Sequence, residues 1–561
     1  MILQPIIDMV ALCAKKGIKH AILSPGSRCA PITLAFARHP EIHSRTISDE
    51  RSAAFIGLGM AQQLEKPVVL VCTSGSAAYN YAPAIAEAFF QQIPLIVITA
   101  DRPPEWIDQW DGQTIRQTEI YGKHVKGSFQ FPDDFGHFDK IWHANRITNE
   151  AINLAYQFPC GPVHINIPLR EPFYPETWEK FEFSREIRCI DPLMGNLQLS
   201  EESKQKLIAS LTKFRRILIV PGQQRPNAKI QQAIDHLSKE GKAVVVTDTI
   251  SNLQSAHTIN LHDHFVGNQE LGKTLEPDLI ISFGKSIISK NLKLFLRNSK
   301  AIHWHIQPEG YVPDTYQSMS KLIPCNPFFF LQFLLKEAQS DLAFVGKWKD
   351  LENKLRKNLG PVLDQSAFGE YKAIATVMRY LPSQSKVHLA NSMAVRYVNF
   401  LGERPQEIIC NRGTSGIDGS NSTAIGCAFT TKDPVVLITG DLAFFYDRNA
   451  FWHNYPMTNL TIILLNNHAG GIFRLIDGPA KQPELEEFFE TRQRLSAENL
   501  AKDFGFEYHL VNDERSLEME LKDFFSKSKH PKILEIETNS QKNAEILKWI
   551  KGKVAEGLTD T

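Results

Sequence analysis

Two polar strand ends carry the first chemical expectation. The run VVLITGDLAFFYDRN closes an apolar strand at Gly440–Asp441 and opens a helix. Further on, LTIILLNNHAGGIF closes a neighbouring strand at Asn466–Asn467. Asp441 and Asn467 are 26 residues apart, the length of one strand–helix–strand unit, so both side chains reach the same sheet edge. A carboxylate, an amide oxygen and a nearby main-chain carbonyl make a hard oxygen donor set. Such a set suits Mg2+, which takes few protein ligands and shares the rest of its shell with phosphate and water. The N–H groups at the start of the helix after Asp441 are open to a diphosphate. The plain alternative is a turn Asp and a strand-end Asn pair, and the GD–NN combination is the more specific of the two patterns.

Further loops follow predicted strands. HSRTISDERSAAFIGLGMA reads as a strand, then Asp49–Glu50, then a helix of small residues. A carboxylate at Glu50 is in any case favourable against a helix dipole. SPGSR (Ser24–Arg28), TADRP (Thr99–Pro103), GQTIRQ (Gly112–Gln117), NSMAVR (Asn391–Arg396) and NRGTSGIDG (Asn411–Gly419) complete the set. Arginines directly after strands, in loops with Gly and Pro, point to carboxylate docking, because a guanidinium pairs bidentately with that group. For Arg116 an ordinary surface ion pair is an equal alternative.

Taken together and in this order, these motifs resemble the thiamine-diphosphate-dependent enzymes, and within them the branch that serves the menaquinone pathway. Leu442 stands where the wider family has Gly. The resemblance is detailed in the first and last thirds of the chain and loose in the middle. It implies thiamine diphosphate as cofactor, with Mg2+ (or Mn2+) held by the Asp441 and Asn467 side chains and the Ala469 carbonyl. It places Gly440, Asp441, Leu442, Asn467, Ser27 and Ile417 at the cofactor, with Ile417 as the apolar buttress that bends it. Glu50 would hydrogen-bond N1′ of the aminopyrimidine. Ser27, Arg28, Arg102 and Gln113 would hold substrate from one side, and Asn391, Ser392, Arg396 and Arg412 from the other. Ser392 and Arg396 are four residues apart, so they share a helical face. Lys290 matches a family lysine that reaches the site.

The activity so implied is decarboxylation of 2-oxoglutarate and 1,4-addition of the resulting carbanion to isochorismate. The resemblance also implies a homodimer or homotetramer, with Glu50 acting across a subunit interface. Two alternatives stay open: another thiamine-diphosphate carboligase or decarboxylase, acetolactate-synthase-like, and a non-catalytic binding protein on the same fold.

The elements that must position these residues are legible as Val- and Ile-rich runs separated by helical patterns, which imply parallel sheets covered on both faces. Three groups of runs predict an α/β protein of three doubly wound parallel-sheet domains. Their expected limits are 1–185 (pyrimidine-binding), 186–350 (middle) and 351–561 (diphosphate-binding). The boundaries are expected in two polar, irregular stretches, one after Ile167 to about residue 190 and one over Lys347–Asn358.

Composition bounds the rest. The 561 residues carry 62 Lys plus Arg and 62 Asp plus Glu, and this balance argues against a nucleic-acid binder. No apolar run approaches a membrane span, so no membrane insertion is expected. MILQPIIDMVALCAKKG has the spacing of an amphipathic helix, without the leading charge and continuous apolar core of a signal peptide. Eight scattered cysteines without a CxxC pair read as free thiols, and the expected location is cytoplasmic. The pairs His262/His264 and His303/His305 lack further metal ligands, and GKS at Gly284–Ser286 lacks the upstream glycine of a phosphate loop. No dinucleotide fingerprint follows a middle-domain strand, so FAD is not expected.

Overall fold

The computed structural model describes residues 3–559 except 177, 184, 185, 194, 196 and 197. The expected limit at residue 185, like Met1 and Thr561, lies outside the described residues. Among the described residues seventeen strands form three sheets, and every strand pairing is parallel.

The first sheet contains β1 (His20–Leu23), β2 (His43–Thr46), β3 (Val68–Cys72), β4 (Leu95–Asp101), β5 (Ser128–Gln130) and β6 (Val163–Pro168), in the order β2-β1-β3-β4-β6-β5. The middle sheet contains β7 (Ile217–Pro221), β8 (Val244–Val245), β9 (Leu279–Phe283), β10 (Ile302–Ile306) and β11 (Met319–Ile323), in the order β11-β10-β9-β7-β8. The last contains β12 (Lys386–Leu389), β13 (Glu407–Ile409), β14 (Val435–Gly440), β15 (Leu460–Asn466), β16 (Glu507–Val511) and β17 (Lys532–Glu537), in the order β13-β12-β14-β15-β17-β16. First and last sheets therefore have one winding plan. In both, the direction of winding reverses between the first and third strands, where such sheets open a crevice for ligands.

The central strands are buried along their whole length, as continuous apolar runs require: β3 and β9 carry no exposed residue. The expected N-terminal helix spans Gln4–Lys15, with Pro5 in its first turn, where a missing N–H costs nothing. One expectation about the chain's organisation is corrected. Lys347–Asn358 is not irregular but lies inside a helix, Leu342–Gln365. Its buried residues Phe344, Val345, Trp348, Glu352, Leu355, Leu359 and Leu363 recur at spacings of three and four, which makes one continuous apolar stripe beneath the charges. The strands β5, β11 and β16 were not foreseen.

The first and last domains share a core. The Glu50–Leu64 helix packs on the Ser420–Ala428 helix so closely that a Cβ on Gly59 would lie 2.1 Å from the Thr423 carbonyl oxygen, and one on Gly426 would lie 2.1 Å from that of Ile56. Glycine is what lets the two backbones touch. Polar contacts extend the junction: Asn449 donates to the Asp49 carboxylate at 2.7 Å and Arg51 to the Asp418 carbonyl at 2.5 Å. No described helix is long and apolar enough to cross a membrane. All eight cysteines are free, and six are buried.

Candidate active site

β14 and β15 are neighbours in register, Gly440 opposite Leu465, so Asp441 and Asn467 emerge from adjacent strand ends. Asp441 is buried. One of its oxygens accepts from the Leu442 N–H at 2.8 Å and the other from Gln493 Nε2 at 2.8 Å. Among the described residues it has no ion-pair partner, and burial raises its pKa. Asn467 Oδ1 accepts from the Ala469 N–H at 3.0 Å, while Nδ2 donates to Glu370 at 2.6 Å. Burial drives the Glu370 carboxyl up to about 7, against the hydrogen bond from Asn467 and helped by the charge of Asp441.

Among the described residues no three His, Cys, Asp or Glu side chains gather as a metal site. A divalent cation here would instead rest on one carboxylate, one amide oxygen and the carbonyl of Ala469. The donor set fits Mg2+: a buried carboxylate without a counter-charge carries a cost that a cation removes. Each acceptor oxygen engaged so far keeps a lone pair.

Glu50 is the first residue of its helix, capped by Asp49, whose carboxylate accepts from the Ser52 N–H at 3.1 Å. Glu50 is half-buried and meets Asn80 Nδ2 at 3.4 Å.

The arginines fall into two groups. At the ends of β1 and β4, Arg28 is buried, donates to the Leu169 carbonyl at 2.7 Å and lies 4.8 Å over the Phe173 ring. Burial, then the neighbouring charge of Arg102, lowers its pKa. Arg102 pairs with Asp111 at 2.8 Å and donates to the Gly112 carbonyl at 2.7 Å, beside Gln113. Ser27 and Gln113 are exposed.

At the ends of β12 and β13, Arg412 donates to Asn391 Oδ1 at 2.8 Å. The Asn391 amide nitrogen donates to the carbonyls of Asn411 and Gly416, both at 2.7 Å. Asn391 thus fixes the loop that carries Arg412 and Ile417. Ser392 stands at the N-cap of the Met393–Asn399 helix, outside the helix and without a side-chain capping bond, and its carbonyl accepts from Arg396 at 2.5 Å. Burial and Arg412 lower the pKa of Arg396. Ile417 is half-buried against the core shared by the middle and last domains.

Lys290 opens the Lys290–Asn298 helix and is exposed. On that helix Lys293 is buried enough to have its pKa lowered, and both Arg412 and Arg396 lower it further. The helix therefore reaches the second arginine group. Arg116 forms an exposed ion pair with Asp108 at 3.0 Å. The discounted histidines are structural: His262 pairs with Asp248 at 3.1 Å, and His303 and His305 both bond Ser282.

Two features of these loops are unusual. Gln113, Ser392, Ser415 and His468 all have positive φ, an unfavourable backbone for non-glycine residues that concentrates at functional sites. The buried Nε atoms of Arg102 and Arg412 have no hydrogen-bond partner among the described residues.

Sequence reasoning missed Glu87, Glu370 and Gln493. Glu87, a lone charge in the helix APAIAEAFFQ, was a readable signal, because an unpaired carboxylate is not left in a core. Glu370 and Gln493 carried none, since their partners lie 97 and 52 residues away in the chain.

Doubly wound parallel sheets with this acidic strand end fit a thiamine-diphosphate enzyme, and family profiles show that class. Three family profiles match: "Thiamine pyrophosphate enzyme, N-terminal TPP binding domain" over residues 8–120, "Middle domain of thiamine pyrophosphate" over 191–389, and "Thiamine pyrophosphate enzyme, C-terminal TPP binding domain" over 390–536. The 2-succinyl-5-enolpyruvyl-6-hydroxy-3-cyclohexene-1-carboxylate synthase of Cytophaga hutchinsonii is 46% identical, covering 99% of both chains. Those of Christiangramia forsetii and Flavobacterium johnsoniae are 39% and 38% identical, each over 96% of this chain and 97% of the relative. The chain belongs to this synthase family of the thiamine pyrophosphate enzymes.

Proposed function

We propose that the protein joins 2-oxoglutarate, with loss of CO2, to isochorismate, forming 2-succinyl-5-enolpyruvyl-6-hydroxy-3-cyclohexene-1-carboxylate for menaquinone biosynthesis in the cytoplasm. The observation that carries this reading is the pair of arginine groups, Arg28 with Arg102 and Arg396 with Arg412, at the crevice ends of two sheets in a chain of this family. Both substrates are dicarboxylates, and guanidinium forks are matched to that group.

Bound thiamine diphosphate supplies the electron sink for the decarboxylation. The chain's residues do the rest. Asp441, Asn467 and the Ala469 carbonyl hold Mg2+ or Mn2+. Glu50 keeps a charge-assisted hydrogen bond on N1′ of the aminopyrimidine, worth about 1.5–3 kcal/mol. Ile417 presses on the cofactor from its apolar side. Arg28, Arg102, Ser27 and Gln113 orient one carboxylate substrate, and Ser392, Arg396, Arg412 and Lys290 the other. Asn391 positions Arg412. The chain works as a homodimer or homotetramer. Asp49 and Arg51, on either side of Glu50, are bound to Asn449 and Asp418 of their own chain, and the Glu50 carboxylate serves a second chain's Asp441–Asn467 site.

The test is purified protein with thiamine diphosphate and Mg2+, given 2-oxoglutarate and isochorismate and followed by loss of isochorismate absorbance. Turnover with pyruvate in place of 2-oxoglutarate would favour an acetolactate-type carboligase. Cofactor binding without any turnover would favour a binding protein.

A further inference from the structure

The first turn of the Glu50–Leu64 helix is tied to the last domain on both sides of Glu50. On one side Asn449 donates to an Asp49 oxygen, while the other Asp49 oxygen caps the helix at Ser52. On the other side Arg51 donates to the carbonyls of Asp418 and Tyr446, the latter at 3.2 Å, and lies 5.1 Å over the Tyr446 ring. The same guanidinium stands 3.5 Å from the Asp447 carboxylate. Glu50 takes no part in these ties, and its bond to Asn80 stays within the first domain.

Asp447 explains why Arg51 is held so firmly. It is buried, and its two oxygens accept from the Ser422 N–H at 2.7 Å and the Ser422 hydroxyl at 2.8 Å. Among the described residues Arg51 is the only cation within ion-pair reach of it. Burial raises the Asp447 carboxyl to about 7, and Ser422 and the charge of Arg51 pull the other way. A buried carboxylate is costly without a counter-charge, so Arg51 is drawn to a single place. Two continuations tie this place into the site. Ser422 lies on the helix whose Gly426 touches the Glu50–Leu64 backbone. Asp447 directly follows the helix that Asp441 opens, Asp441–Tyr446. One short helix thus carries the Asp441 carboxylate at its start and the anchor of Arg51 at its end.

We infer that Arg51 and Asp447 are positioning residues: they fix the turn that carries Glu50 and so aim its carboxylate at N1′ of the aminopyrimidine. The inference rests on the assignment of Glu50 made above. Arg51 and Asp447 act through Glu50 alone, and a misplacement of about 1 Å at such a group costs about a hundredfold in rate. A merely structural pair would set the melting temperature and leave the chemistry of the folded protein intact.

The experiment follows deuterium exchange at C2 of thiamine diphosphate, bound at saturation with Mg2+ to the full-length protein, in the parent, E50Q, R51Q and the double variant. Circular dichroism melts check folding, and titration gives the cofactor Kd. R51Q is expected to slow C2 exchange about tenfold or more at an unchanged cofactor Kd. In the E50Q background it is expected to add no further loss. In the cofactor-free protein, amide exchange over residues 49–56, read by mass spectrometry, is expected to quicken in R51Q, since the Ser52 and Ala53 amides bond to Asp49. If R51Q does not fold, D447N, which keeps an acceptor for Ser422, carries the same expectations. With E50Q slow, C2 exchange in R51Q within about twofold of the parent would overturn the inference. So would an R51Q loss of equal size in the E50Q background, or amide exchange that does not change. If E50Q exchanges as fast as the parent, the Glu50 assignment itself fails and the inference falls with it.

Discussion

The Glu87 carboxylate accepts the backbone N–H of Gly413 at 2.7 Å, across the junction of the first and last domains. Gln91 donates to the same oxygen at 2.6 Å, and the other oxygen takes the N–H and the hydroxyl of Thr414, both at 2.6 Å. A Cβ on Gly413 would lie 2.6 Å from the Glu87 carbonyl, so the loop cannot approach this closely with another residue there. One buried carboxylate thus fixes the loop immediately after Arg412.

Replacing Glu87 with Ala leaves two amides and a hydroxyl without their acceptor. Each buried donor so stranded costs about 1–3 kcal/mol. The expected result is a lower melting temperature, with kcat/KM down about ten- to a hundredfold as Arg412 loses its position. Unchanged kinetics in a folded E87A protein would mean that the loop holds itself.

Glu50→Gln keeps the shape of the side chain and removes its charge. Turnover should fall about 10²–10⁴-fold, the range for loss of a positioned acid–base group, with the thermal melt of the free protein unaltered. Activity within twofold of the parent would remove Glu50 from the cofactor's proton chemistry.

Asp441→Ala removes the one carboxylate of the oxygen donor set. Divalent-metal titration of chelator-treated protein should restore activity to the parent and not to D441A, with thiamine diphosphate binding weakened in parallel. Restoration at the same metal concentration in both proteins would place the cation elsewhere.

Buried histidines should cost stability in mild acid. Burial holds His164 and His388 neutral, each with a pKa lowered to about 3, while in the unfolded chain they take up a proton near pH 6.5. Between these values the unfolded state binds the extra protons. The stability each histidine contributes above about pH 6.5 is therefore lost as pH drops, by about 1.4 kcal/mol per pH unit. Glu370 and Asp447, whose buried carboxyls are raised to about 7, work the other way over the same range, so the readout is a difference between proteins. From pH 7.5 to 5.0 the urea midpoint of H388L should fall less, or rise more, than that of the parent. Parallel profiles in the two proteins would contradict the neutral, buried assignment of His388.

The sequence was most readable where burial is complete. Central strands such as β3, β4, β9 and β15 are apolar because both faces are covered, and their runs stood out. The unforeseen β5, β11 and β16 are all edge strands. Half-exposed and polar, as in SFQ and MSKLI, they leave no continuous run to detect. The site followed the same rule. Asp441, Asn467 and the arginines sit beside strand ends that the pattern located. Gln493, which meets the Asp441 carboxylate, and Glu370, which meets Asn467, come from distant segments whose approach only the fold brings about.

The glycine contact between the Glu50–Leu64 and Ser420–Ala428 helices bears on how the chain is made. Its two halves, near Gly59 and Thr423, are separated by about 360 residues. At about 5–20 residues per second, the earlier helix leaves the ribosome about 20–70 s before its partner is synthesised. The small-residue face stays uncovered throughout that interval, during which the rest of the first sheet and the whole middle domain are synthesised. Until the last third of the chain arrives, that face is aggregation-prone surface of the kind chaperones cover.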